Sequence, residues 1–105
     1  MYHAIILAPA AATGLKSLPA RRRAEVEDAI EMHLRHEPGK VSKSGIKRLR
    51  GLSRPQYRLR VGDIRIFYDL AGGEVRILAV ITKAEAATWL RTEGAADEDS
   101  RTGEG

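Results

Sequence analysis

The chain has no cysteine. Disulfides and thiolate metal sites are therefore excluded, and the composition suits a reducing compartment. No apolar run reaches the roughly twenty residues that a membrane span needs. The first ten residues, MYHAIILAPA, lack the basic stretch of a signal peptide, so a cytoplasmic protein with no membrane partner is expected. Internal repeats, heptads and a glycine-rich phosphate loop are absent; Gly72-Gly73 is too short and reads as turn chemistry. No serine stands in a nucleophile-elbow context. The most informative lack is local: between Pro38 and Gly62 there is no Asp or Glu.

That acid-free stretch holds Lys40, Lys43, Lys47, Arg48, Arg50, Arg54, Arg58 and Arg60. It sharpens what the whole-chain charge of +4 and pI near 9.8 already suggest, an anionic partner. At 105 residues the chain can build one domain. Of its three histidines, only His33 and His36 are close in sequence. Their spacing reads as solvated residues near a helix C-terminus rather than a metal pair, and no metal or cofactor is expected.

From Gln56 to Val61 the side chains alternate, Tyr57, Leu59 and Val61 on one side of a strand and Gln56, Arg58 and Arg60 on the other. Gly62-Asp63 supplies a two-residue turn, and Ile64 to Leu70 returns as a second strand. If Val61 faces Ile64, Arg60 faces Arg65, Leu59 faces Ile66, Arg58 faces Phe67 and Tyr57 faces Tyr68. One face is then apolar or aromatic, and the other gathers Arg58, Arg60 and Arg65. Like charges opposed across a ladder destabilise it. The arginines either splay into solvent on an open sheet face or meet something anionic.

The rest of the chain builds on that hairpin. Tyr2 to Ala8 reads as an interior strand covered on both sides, ended by Pro9, and Ala10 to Leu18 as a short helix with an awkward Gly14. Pro19 opens the longest helix, to about Glu37, with Val26, Ala29, Ile30, His33 and Leu34 as its apolar stripe. Its Arg21 to Arg23 oppose the helix dipole and either pair with Glu25, Glu27 and Asp28, the favoured expectation, or contact a partner. Ile46 to Leu52 is a short extended segment. Gly72-Gly73 turns into a last strand, Val75 to Thr82, whose register is expected to pair Asp69 with Arg76, Phe67 with Leu78 and Arg65 with Val80. Phe67, Leu78 and Val80 would then form an apolar patch beside the arginines, covered by a terminal helix or by a partner. Ala84 to Arg91 is a short final helix. Residues 1–91 form the domain, and 92–105 are expected to be a disordered acidic tail.

The order strand, two helices, three antiparallel strands, with KRLRG, YRLRVGDIRIFYD and VRILAVITK in succession, resembles the RelE/ParE toxin superfamily of type II toxin–antitoxin systems, over roughly Tyr2 to Leu90. The resemblance implies an α+β fold, a small antiparallel sheet packed against two N-terminal helices with a short C-terminal helix. In the favoured RelE branch it implies a ribosome-dependent mRNA endonuclease that inhibits translation. There the mRNA 2′-hydroxyl attacks the adjacent phosphate while basic side chains position the chain and stabilise charge. By position, Arg58 and Arg60 resemble the basic pair and Arg65 the phosphate-stabilising arginine, with Lys83 near the arginine that follows the last strand. Guanidinium groups suit phosphate contact and transition-state stabilisation, not proton abstraction. Lys43, Lys47, Arg48, Arg50 and Arg54 are candidate RNA contacts. Trp89 stands near the family's C-terminal tyrosine and either stacks on a base or anchors the last helix. A cognate antitoxin would cover the arginine face and the Phe67, Leu78, Val80 patch, and the ribosome and mRNA are the other partners. The alternative is a ParE-like toxin that binds DNA gyrase and cuts nothing; a basic domain inactive without its operon partner is a third, blander reading.

Overall fold

In a computed structural model, which describes residues 2–42 and 45–96, the order of elements is as follows. β1 (Ala4–Leu7) leads into α1 (Pro9–Lys16) and α2 (Ala20–Ala29), which continues as a π-helical turn, Ile30–Leu34. Then come β2 (Ile46–Arg48), β3 (Leu52–Arg54), β4 (Tyr57–Val61), β5 (Ile64–Ala71), β6 (Glu74–Thr82), α3 (Lys83–Glu93) and β7 (Ala95–Ala96). Pro9 falls at the start of α1, where its missing N–H would have no partner. Pro19 is the N-cap of α2 rather than its first helical residue.

The main sheet has the order β1-β6-β5-β4-β2. The hairpin pairs run as the alternation predicts, from Val61 with Ile64 to Tyr57 with Tyr68. Gly62 has φ +61 while no non-glycine among the described residues has a positive φ, the pattern of a hairpin turn with glycine first. The sheet is mixed rather than wholly antiparallel: β1 pairs parallel with β6, Ala4 opposite Glu74 and Ile6 opposite Arg76. Having passed through two helices, the chain returns to the sheet with β1 left at its edge. The expectation of an interior strand is therefore wrong; Ile6 and Leu7 are exposed. A short apolar run does not distinguish an edge from a centre.

The core lies between the helices and one sheet face. Val26, Ile30 and Leu34 from α2 and its π turn meet Leu59, Ile64, Ile66, Tyr68, Val75, Ile77 and Val80. Burying each such side chain contributes about 1.5–3 kcal/mol, which places the stabilising weight of the domain on this face. His33, expected in the stripe, is exposed; the wider π turn takes it off the buried side. Gly14 is explained by proximity, because a methyl group there would collide with the Val80 carbonyl as α1 packs on the β6 backbone. The Tyr68 hydroxyl donates to Pro38 O at 2.5 Å, and burial pushes its phenol pKa up.

The β5–β6 register departs from expectation at one point. Asp69 pairs with Arg76 as predicted, but Phe67 pairs with Ala79 and Arg65 with Ile81. Between Phe67 and Tyr68 the register shifts, leaving Leu78 as the extra residue of a β-bulge. One inserted residue reverses the faces beyond it. Val80 thereby joins the helix-side core, 2% exposed, instead of the arginine face. The last helix is also longer than predicted. Thr82 and Glu85 close a capping box at its start, it runs to Glu93, and Ala95–Ala96 pairs with Leu52–Arg54. Residues 92–96, expected in the tail, thus belong to these elements, while 97–105 lie outside the described residues.

Candidate nucleic-acid interface

The sheet face away from α1 and α2 carries the charge. β2 lies beside β4 with Lys47 opposite Arg58, Arg58 faces Phe67 on β5, and Phe67 faces Ala79 on β6. One row of side chains therefore reads Lys47, Arg58, Phe67, Ala79 across four strands. The adjacent row reads Arg60, Arg65, Ile81. Three arginines and a lysine that are scattered over nineteen positions of sequence become near neighbours. Helix α3 crosses the apolar end of this face, and the Trp89 ring stacks on Phe67 at 5.1 Å between centroids and 8° between planes.

The arginines are not equivalent. Arg65 is only 8% exposed. Its Nη1 donates to Gly62 O at 2.9 Å and to Ile64 O at 3.1 Å. These two bonds fix one edge of the guanidinium against the hairpin turn, and its remaining donors make no hydrogen bond among the described residues. Arg58 is half-buried, with a buried Nε that has no hydrogen-bond partner among the described residues. Burial first, then the charges of Arg65 and Arg60, hold its guanidinium pKa below the usual arginine value. Among the described residues no carboxylate pairs with Arg58 or Arg65.

Asp69, on the same face, is already engaged. Its Oδ2 accepts from Arg54 Nε at 3.1 Å and its Oδ1 from the Gln56 backbone N–H at 2.8 Å. Gln56 Oε1 in turn accepts from Leu70 N at 2.9 Å. This closed network was not foreseen, although the register alone makes Asp69 the acid opposite Arg76 on the arginine face. Its consequence is that Arg54, a candidate RNA contact, holds the Asp69 carboxylate through its Nε while its side chain stays largely exposed.

The other predicted residues divide. Lys47 joins the arginine row, whereas Arg48 falls on the opposite side, its guanidinium 5.1 Å from the Tyr57 ring centroid. Arg50 is exposed between β2 and β3. Lys43 lies outside the described residues. Lys83 is the exposed first residue of α3, and its backbone N–H donates to Asp63 O at 2.7 Å. The expected Phe67, Leu78, Val80 patch does not form: Phe67 is buried beneath Trp89, Leu78 occupies the bulge and Val80 points into the core.

No protein-family model matches the chain, and no curated protein matches it. Solved structures do. The RelBE2 toxin–antitoxin complex of Mycobacterium tuberculosis matches over 78% of this chain and 99% of its own, with a TM-score of 0.63 and 26% identity. The archaeal RelE–RelB complex of Pyrococcus horikoshii matches over 79% and 97%, with a TM-score of 0.65 and 23% identity. The RelB–RelE complex of Methanococcus jannaschii matches over 80% and 96%, with a TM-score of 0.63 and 23% identity. The chain has the fold of a RelE toxin.

Within this RelE fold the arginine rows and Trp89 occupy one side of the sheet, and the hydrophobic core occupies the other. The imidazoles stand away from the arginine rows. His3 Nδ1 is 3.3 Å from Arg35 O at the end of α2, and His36 packs on Tyr2 at 4.9 Å. Chemically, the face offers fixed positive charge and hydrogen-bond donors. Among the described residues no helix is long and apolar enough to cross a membrane.

Proposed function

We propose that this RelE-like chain is the toxin of a type II toxin–antitoxin pair and cuts mRNA on the ribosome in the cytoplasm. The observation that carries the proposal is the gathering of Lys47, Arg58 and Arg65 on one face, Lys47 opposite Arg58 and Arg65 opposite Arg60, while Arg58 and Arg65 have no carboxylate partner among the described residues. Leaving guanidinium groups partly buried and unpaired costs free energy, and a phosphate chain relieves that cost. In the proposed step the 2′-hydroxyl oxygen of mRNA attacks the adjacent phosphorus and the bond to the 5′-oxygen breaks. The products are a 2′,3′-cyclic phosphate and a 5′-hydroxyl, with the proton passing from the first oxygen to the second through solvent. Negative charge grows on the non-bridging oxygens, and Arg65, already oriented by the turn, meets it with Arg58. Lys47 and Arg60 hold the flanking phosphates, and the exposed Lys83 stands at the edge of the site. Arg58, Arg60 and Arg65 are not asked to act as a base, because arginine stays protonated.

The proposed antitoxin is a segment with acidic groups for the arginine rows. With Phe67 already covered, its apolar contacts shift to the shallow groove between Ile81 and Trp89, lined also by Ala84, Thr88 and Thr92. The test is cleavage of mRNA on purified, programmed ribosomes by wild type and Arg65→Ala. Removing one preorganised donor of this kind typically lowers the rate about 10²–10³-fold. Wild-type cleavage within codons that drops by that factor supports the proposal. No cleavage, with growth arrest in cells, would move the function to a target that is bound and not cut, such as DNA gyrase.

A further inference from the structure

The arginine-rich start of α2 has no part in the chemistry above, yet it leads to the hairpin turn that orients Arg65. Arg22 Nη2 lies 2.5 Å from Asp63 Oδ1. The backbone oxygen of the same Asp63 accepts from Lys83 N at 2.7 Å. The carbonyls on either side, Gly62 O and Ile64 O, both accept from Arg65 Nη1, at 2.9 and 3.1 Å. Three consecutive carbonyls of one turn therefore hold the Arg65 guanidinium and the first residue of α3, and the turn's one charged side chain is tied to α2. There is little room to spare. Gly62 occupies the left-handed region at φ +61, and a Cβ there would lie 3.1 Å from Arg22 Nη1.

We propose that Asp63 and Arg22 are positioning residues, whose ion pair holds the turn so that Arg65 presents its free guanidinium donors in one orientation. The inference rests on the proposal that Arg65 meets a phosphate. A two-residue turn at the tip of a hairpin is an end that frays; its backbone is held to α3 through Lys83 N, and its side chain is what ties it to α2. Both partners are substantially exposed, 38% and 56%, and exposed pairs contribute little to stability. What such a pair can fix is direction, and a catalytic group misplaced by about 1 Å can lose roughly 10²-fold in rate. The expected signature is a loss of rate without a loss of fold. It also accounts for an arginine at a helix start, where the dipole disfavours it.

The test uses Arg22→Ala, Asp63→Ala and the reversed pair Arg22→Asp/Asp63→Arg, all checked for unchanged thermal unfolding. Two readouts are taken. On programmed ribosomes the single variants should lower single-turnover cleavage roughly 10- to 100-fold with KM unchanged, and the reversed pair should recover most of the loss. In the free protein, side-chain nitrogen NMR should show slow rotation of the Arg65 guanidinium in wild type and fast rotation in Asp63→Ala. Unchanged rotation together with unchanged cleavage overturns the positioning role. If wild type cuts nothing, the nuclease proposal fails on its own, and the NMR comparison still decides this one: freed rotation supports it and unaltered rotation refutes it.

Discussion

Arg58→Met should make the free protein more stable while removing function. The long apolar side chain keeps the stem contacts of Arg58 and deletes its charge. Two costs then disappear. Arg58 no longer faces the charges of Arg65 and Arg60, and like charges close across a ladder destabilise by up to about 1 kcal/mol. The buried Nε, without a hydrogen-bond partner among the described residues, is also gone, and an orphaned buried donor costs about 1 kcal/mol or more. Together they amount to about 1–2 kcal/mol, a rise in Tm of roughly 5–10 °C for a domain of this size. Circular dichroism melts at low salt and at about 1 M salt, where the Debye length is near 3 Å, separate the two contributions. The stability gain should shrink with salt, because the repulsion is screened, but should not vanish. The depressed guanidinium pKa means the fold disfavours the charged form, so this contribution would improve only as pH rose into the range where arginine titrates. Between ordinary working pH values it is constant. A variant less stable than wild type at low salt, or a gain indifferent to salt, would refute the reasoning.

Trp89→Ala removes the ring stacked on Phe67 and should cost about 2–3 kcal/mol, seen as a lower Tm and greater dye binding by the uncovered Phe67. Tyr68→Phe deletes the hydroxyl that donates to Pro38 O, and leaving that carbonyl unpaired should cost about 1–2 kcal/mol in urea unfolding. Because the Tyr68 phenol is raised by burial, its neutral form stabilises the fold below the ordinary tyrosine value of about 10. That stability is lost as pH climbs beyond it, and Tyr68→Phe should remove this part of the alkaline unfolding. Gly14→Ala drives a methyl into the Val80 carbonyl and should cost about 1–3 kcal/mol, again by urea unfolding.

What the sequence made legible was local and periodic. The Tyr57 to Tyr68 hairpin followed from alternation and one glycine turn, so the meeting of Arg58, Arg60 and Arg65 was readable before any coordinates. Alternation fails where a residue is inserted, and nothing around Leu78 announces a bulge; alternation alone therefore puts Val80 on the wrong face. The basic run marks Lys47 as a candidate, but the match of Lys47 with Arg58 depends on which strand flanks β4. A weakly alternating segment such as IKRLRGL does not settle that. The pairs Arg54 with Asp69 and Arg22 with Asp63 link residues fifteen and forty-one positions apart. Charge in the sequence marked the arginines without naming their acids. The edge position of β1 and the pairing of β7 with β3 are likewise products of tertiary closure.

The central claim is that this chain arrests growth by cutting translated mRNA with Arg65 at the site. Primer-extension mapping of transcripts after induction of the chain alone, wild type beside Arg65→Ala at matched protein levels, addresses it directly. Cuts within translated codons in wild type that vanish in Arg65→Ala are the predicted result. Arrest with intact transcripts, or cuts that persist in the variant, would contradict it.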